Sequence, residues 1–415
     1  MTTGVGRKLD PNLKNTIIED FERILRHKVI GQEDAVAAVV DIYQMFSVGL
    51  NPPSRPVGNL LFLGPTGTGK THVMEALAEV LFGNNRALIK IDCAEFQHSQ
   101  EISKIIGSPP GYLGHLETHP ILNQEAINQY HTDSLKLTLI LFDEIEKASD
   151  ALWQLLLGIL DKGTLTLGNN SRVDLSCCLI VLTSNVGASE MSSLVEGGIG
   201  FNSKLSGHVD GDFDNKIQRT AIDAAKRKFS PEFINRIDKA VVFKTLRQGH
   251  LEQILELELE AVQQRILQAI GGNQFIFGCS DGVKQYLLRE GIDSKYGARH
   301  LKRVIERAIV FPLSNLVATG QIHIGDFIRI ALDNQSKFVF TVESENSLIP
   351  VMLARVSTEL RTTPSNPIPP PPLPLPPTEP SRAMKQARKR LKEAEDQLDA
   401  AKEKRRQLEK DFPSP

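Results

Sequence analysis

The stretch NLLFLGPTGTGKTHVMEALAEVLF, residues 59–82, constrains this chain more than any other. A short apolar run bounded by glycine reads as a buried strand. Gly64, Gly67 and Gly69 then crowd into six residues, a density that makes a loop. A run of good helix formers follows. The loop fits GxxxxGK[ST], and its flanks supply the strand and helix that such a loop needs, which argues against a chance match. Glycines let successive backbone N–H groups close around phosphate oxygens, and the helix N-terminus adds favourable potential. Gly64, Pro65, Thr66, Gly67, Thr68, Gly69, Lys70 and Thr71 are therefore the candidate nucleotide-binding residues. Lys70 can reach the β- and γ-phosphates of ATP, and Thr71 can ligate Mg²⁺.

Three further apolar runs follow, RALIKID (86–92), LTLILFDE (137–144) and CCLIVLTSN (177–185). None alternates with polar residues, as expected of parallel strands covered on both faces. The fold class is therefore α/β, a doubly wound parallel sheet. Strands of such a sheet present their C-terminal ends to the ligand. Asp143 is then expected to hold Mg²⁺ through water and Glu144 to polarise the attacking water. The competing reading makes both acids the start of a helix EIEKASDALWQLLLGIL, where negative charge is favourable in any case. Glu146 and Lys147 read as ordinary helix-surface charge. Asn185 ends its strand either as a γ-phosphate sensor that orients water or as a turn residue, and position alone leaves both open.

Before the loop, residues 12–46 read as helical with a break near Val29-Ile30-Gly31. The expected organisation is an N-terminal segment (1–19), a large domain (20–245) and a smaller α+β lid (246–345). In the lid, helical patterns at 248–270, 281–290 and 298–317 precede strand-like DFIRIAL and KFVFTV. A Pro-rich linker (346–380) and a charged tail (381–415) follow. Met384, Ala387, Leu391, Ala394, Leu398, Ala401 and Leu408 set a heptad seam in the tail, interrupted by Arg405. Alanine buries little area, so a partner helix or modest avidity is expected rather than a strong coiled coil.

A net charge of −2 gives no basic field for nucleic acid. Cys93, Cys177, Cys178 and Cys279 form no CxxC pair and read as reduced, buried small hydrophobes. The N-terminus has no apolar signal core and no run reaches membrane-spanning length, so a cytoplasmic protein is expected.

The phosphate loop, GSPPGYLG (107–114), LILFDEIEKA (139–148), LDKGTLT (160–166), VLTSN (181–185), FSPEFINRID (229–238) and YGARHLKR (296–303) occur in the order seen in Clp-type AAA+ unfoldases. Over roughly residues 20–340 the chain resembles the second ATPase module of ClpA, ClpB and ClpC. That resemblance implies an ATP-hydrolysing hexamer that threads protein substrates through its pore. It implies that Val29 and Ile30, in VIGQEDAV, lie against adenine. Asn185 matches the first sensor, Arg299 the second, and Arg236 the arginine finger that reaches a neighbouring subunit's ATP. Gly111, Tyr112, Leu113 and Gly114 match the substrate-gripping pore loop, whose aromatic ring gives sequence-tolerant contact. Ile199-Gly200-Phe201 resembles the tripeptide that docks proteolytic members onto a ClpP-like peptidase, with local packing as the alternative. Against that pattern the sequence is expected to carry one ATPase module where ClpA, ClpB and ClpC have two, with no large N-terminal substrate domain, no room for the middle coiled coil of ClpB and no cysteine zinc module of the ClpX kind. Its linker and tail match nothing in that pattern. A nucleic-acid motor or an ATP-switched scaffold on the same core are the competing functions.

Overall fold

The computed structural model describes residues 10, 13–108, 119–198, 211–269, 274–291 and 298–344. The expected pore loop (111–114), the docking tripeptide (199–201), the linker and the tail lie outside the described residues. Among the described residues no helix is long and apolar enough to cross a membrane.

Two helices open the fold, α1 (Thr16–Lys28) and α2 (Glu33–Ser47). The Asn15 side chain caps α1 by accepting from the Ile17 N–H, and Ile18, Phe21 and Leu25 repeat at helical spacing to bury one face. The expected break between the helices is real. Val29 is extended, and Gly31 turns with φ 74°, a conformation that favours glycine.

In chain order the remainder of the first layer system is β1 (Gly58–Leu63), α3 (Lys70–Phe82), β2 (Ile89–Asp92), α4 (Ser103–Ile106), α5 (Gln124–Asn128), β3 (Thr138–Asp143), α6 (Asp150–Lys162), β4 (Thr164–Thr166), β5 (Arg172–Asp174), β6 (Cys178–Ser184), α7 (Ala188–Gly198), α8 (Gly211–Lys228), α9 (Pro231–Ile234) and β7 (Lys239–Val242). The sheet is parallel throughout, in the order β2-β3-β6-β1-β7. Successive residues of each strand feed opposite faces. Leu60, Phe62, Leu139, Leu141 and Val181 join α1, α2 and α3 in one core. Leu61, Leu63, Ile140, Phe142, Ile180 and Leu182 join α6, α8 and α9 in the other. This double burial explains the unbroken apolar runs of β1, β3 and β6; the edge strand β2 differs from the expectation, alternating with Lys90 and Asp92 exposed.

A separate core follows, built by α10 (Gln248–Leu267), β8 (Ile276–Cys279), α11 (Asp281–Gly291), α12 (Ala298–Ile305), α13 (Phe311–Ala318), β9 (Phe327–Leu332) and β10 (Phe338–Ser344). Its sheet runs β10-β9-β8, with β10 antiparallel and β8 parallel to β9.

Several elements differ from the sequence reading. The strand β7 and the hairpin β4–β5 are short and half polar, so they carry no long apolar run to betray them. The helix expected over 298–317 is interrupted by a π turn, Glu306–Val310. Pro312 lies just beyond that turn; it has no N–H to donate, and its ring displaces the carbonyl four residues earlier. The helix expected from Glu144 starts instead at Asp150, after a 3₁₀ turn over Ile145–Lys147. Of the four free cysteines, Cys93 and Cys178 are buried as expected, whereas Cys177 and Cys279 are half-buried.

Candidate nucleotide site

The C-terminal ends of β1, β3 and β6 converge on one spot, because those strands are neighbours in register around β6. The loop after β1 is built on glycine. Gly64 has φ 148°, Gly67 80° and Gly69 100°. Gly64 is also sterically required, since a Cβ there would lie 2.8 Å from the Phe243 carbonyl oxygen. Gly69 then caps α3 in the left-handed region.

Lys70 opens α3, is 8% exposed, and turns back into the loop. Its Nζ donates to the carbonyls of Gly64 (2.7 Å) and Pro65 (2.8 Å) and to Asn185 Oδ1 (2.9 Å). All three ammonium protons are thus held by acceptors at the place where a phosphate would sit. Burial pushes its pKa down to about 8, against the opposing pull of Asp143, Glu146 and Glu144. Asn185 Nδ2 faces Glu144 Oε1 at 3.4 Å, so one amide links the loop lysine to the acid at the end of β3.

Asp143 accepts from Thr183 Oγ1 at 2.5 Å and from Thr71 Oγ1 at 3.3 Å, and Lys90 Nζ lies 3.2 Å from its Oδ2. Glu144 leaves the strand with φ 56° and ψ 49°. A left-handed backbone at a non-glycine costs on the order of 1–3 kcal/mol and marks functional positions. The conformation turns the Glu144 side chain away from the helix path, and its backbone N–H donates to Thr183 Oγ1 at 3.1 Å. Lys147 Nζ holds Glu144 Oε2 at 2.5 Å.

Glu146 and Lys147 are therefore not ordinary helix-surface charge. They belong to the 3₁₀ turn, Lys147 pairs with Glu144, and Glu146 Oε1 accepts the Asn185 backbone N–H at 3.1 Å. The other Glu146 oxygen is buried with no hydrogen-bond partner. Sequence reasoning also passed over Gln32. It is 4% exposed, and its Nε2 donates to the Thr68 carbonyl of the phosphate loop at 3.1 Å. A polar residue just ahead of an amphipathic helix was the available signal.

The remaining expected residues fall in three places. Val29 is buried in the α1–α2–α3 core and Ile30 is half-buried beside it. Arg299, exposed on the first turn of α12, lies within the electrostatic reach of Lys70, and its neighbour Ala298 donates its N–H to the Gly67 carbonyl at 3.3 Å. Arg236 is not gathered with them. It donates to the Glu232 carbonyl at 2.8 Å and pairs with Glu232 at 3.2 Å, with Asp161 at 3.9 Å.

The model for the AAA domain (Cdc48 subfamily) matches residues 55–240, and that for the C-terminal, D2-small domain of ClpB matches residues 246–330. The two meet in the order and at the place where one core gives way to the other. The chain belongs to the Clp-type AAA+ ATPases. Within that family it resembles the second ATPase module and its small domain. Chaperone protein ClpB of Rhodopirellula baltica is 36% identical over 321 residues, 77% of this chain and 34% of that protein. The ClpC/MecB negative regulator of genetic competence of Bacillus subtilis is 35% identical over 327 residues, 79% of this chain and 38% of that protein. A closed-state reconstruction of Hsp104 with ATPγS and FITC casein matches with TM-score 0.64 and 28% identity, covering 78% of this chain and 51% of that one. The AAA+ chain thus spans little more than a third of the length of these curated relatives. Family membership implies nucleotide binding.

The depressed Lys70 gives a pH signature. In the free protein the ammonium is largely charged at pH 7 and loses its proton as pH rises through about 8. Phosphate oxygens favour the charged form, so nucleotide binding above pH 8 takes up a proton. Titration calorimetry with ADP at pH 8.5, in buffers of different ionisation enthalpy, should report that uptake, and Lys70→Arg should remove it. Absence of uptake in the unaltered chain would exclude Lys70 as the titrating group.

Proposed function

We propose that the protein is an ATP-driven unfoldase or remodeller that works as a homo-hexamer on polypeptide substrates, with a large ATPase domain at 20–245 and a lid at 246–345. The observation that carries this reading is the chain of contacts Lys70–Asn185–Glu144, which ties the phosphate loop to the ends of β6 and β3. Lys70 answers the phosphate charge. Glu144, aimed by its left-handed backbone and steadied by Lys147, orients and polarises the attacking water. Asn185 touches both groups and so can relate phosphate occupancy to the position of the acid. Arg236 acts on a neighbouring subunit's nucleotide, and Arg299, carried by the lid, is the second sensor of the nucleotide held beside Lys70. Val29 and Ile30 receive the base.

The donor set suits Mg²⁺. Thr71 and Asp143 present hard oxygen atoms within 3.3 Å of each other, the ligand type that this ion prefers. Thr71 and Asp143 would hold it, and when bound it supplies neutralisation of charge on the nucleotide phosphates. Four free thiols suit a reducing compartment, and we place the protein in the cytoplasm. A ClpP-like peptidase, engaged through Ile199-Gly200-Phe201, is the partner proposed for degradation.

ATP turnover of the full chain, measured alone, with an unfolded protein and with DNA, separates the competing functions. Stimulation by protein is the expected result; stimulation by DNA alone would move the reading to a nucleic-acid motor. The threading step rests on Tyr112. Tyr112→Ala should keep basal turnover and lose ATP-dependent unfolding of a tagged substrate, whereas Tyr112→Phe keeps most of it because the ring face makes the contact. Normal unfolding by Tyr112→Ala would assign the work to another surface.

A further inference from the structure

The Gln32 side chain, itself buried, makes three hydrogen bonds, all to main-chain groups, and the one to Thr68 is fully buried. Its Nε2 donates to the carbonyls of Thr68 (3.1 Å) and Lys244 (3.0 Å), and its Oε1 accepts the Lys244 N–H at 3.2 Å. One side chain therefore clamps both main-chain groups of Lys244, as a neighbouring strand would, while holding the phosphate loop with its remaining proton. Lys244 stands at the junction between the two cores, two residues past β7 and four before α10. The neighbouring contacts run the same way. Gly64 packs on Phe243 so closely that a Cβ would meet its carbonyl, and a Cβ on Gly31 would lie 2.6 Å from His250 Nδ1, on the first turn of α10.

We propose that Gln32 is a positioning residue that transmits the state of the phosphate loop to the lid junction. The inference rests on the ATPase reading above and gives it a mechanical link. Binding phosphate re-aims the peptide groups of the loop, because its N–H groups must point at the anion. A shift of the Thr68 carbonyl then either strands a buried amide proton, which is costly, or draws Gln32 with it. Since Gln32 grips Lys244 at two points, the second course turns the junction and the start of α10. Lid position becomes a function of what the loop holds.

Hydrogen exchange on the full chain, with and without saturating Mg²⁺–ADP, tests this. In the unaltered protein nucleotide should slow exchange at 64–71 and alter it at 243–267. Gln32→Met keeps the bulk and removes every hydrogen bond. It should retain the slowing at 64–71 and lose the response at 243–267. Gln32→Glu keeps the shape and the acceptor for Lys244 but has no donor for the two carbonyls, and should lose the same response. If Gln32 merely supports the structure, both variants will exchange faster at 243–267 with and without ADP while the ADP-dependent difference persists. That outcome, in either variant, overturns the proposal. No slowing at 64–71 in the unaltered chain would instead overturn nucleotide binding itself, and the coupling with it.

Discussion

Glu144→Gln is expected to bind ATP as the unaltered protein does and to hydrolyse it roughly 10²–10⁴-fold more slowly, the usual contribution of a positioned acid–base group. The substitution preserves length and shape. What it removes is the carboxylate charge proposed to polarise water, and with it half of the ion pair with Lys147, whose Nζ sits 2.5 Å from Glu144 Oε2. Lys147 is nearly half-exposed and can turn to solvent, so the fold should lose little, as is usual for such pairs. Asn185 Nδ2 still finds an amide oxygen in place of Glu144 Oε1, so the phosphate loop keeps its tie to β3. Single-turnover hydrolysis, measured beside equilibrium binding of a fluorescent ADP, separates the two effects. Turnover within tenfold of the unaltered rate would remove Glu144 from the chemistry and leave its left-handed backbone unexplained. Lys70→Ala should fail at the other step, losing binding, because no other cation lies within the loop to answer the phosphates.

What could be read from the sequence was whatever the chain writes in consecutive residues. β1, β3 and β6 are buried on both faces, so each is an unbroken apolar run, and the loop glycines stand in the pattern that phosphate contact demands. Asp143, Glu144 and Asn185 were legible because they end those runs. Glu146 and Lys147 were misread because the periodicity of EIEKASDALWQLLLGIL suits a helix from its first residue. The left-handed Glu144 overrides that local preference, folding the pair back toward the site. Such a conformation has no residue signature when it is not made by glycine. Gln32 was missed for a different reason. Its partners are the main-chain groups of Thr68 and Lys244, 36 and 212 positions away, and a contact with backbone at that distance leaves no mark on the partner's residue type. β7 escaped because only Val241 and Val242 of its four residues are buried.

Arg236→Ala is expected to bind ATP normally and to lose roughly 10³–10⁵-fold in hydrolysis, the range over which arginine fingers act. Within one chain this arginine has no business with its own phosphate loop. Its guanidinium rests on Glu232 and near Asp161, and its Nε is buried without a partner. The carboxylates that hold it are half-exposed or more, so the pairing is weak, about 0–1 kcal/mol, and a stronger anion can take the guanidinium from them. A nucleotide on the adjoining subunit is that anion if the protein assembles as proposed. Removing the side chain should then barely move the melting temperature while abolishing turnover, a split that a supporting role would reverse. Mixing supplies the decisive arm. Where an Arg236→Ala subunit carries the nucleotide beside intact Glu144, and a Glu144→Gln subunit lends its Arg236, the shared site is complete. Co-assembled mixtures of two inactive variants should therefore regain turnover, greatest near equal proportions. Mixed rings that stay inactive at every ratio, with co-assembly verified by mass, would place the action of Arg236 inside its own subunit, and the contacts to Glu232 and Asp161 would become its function.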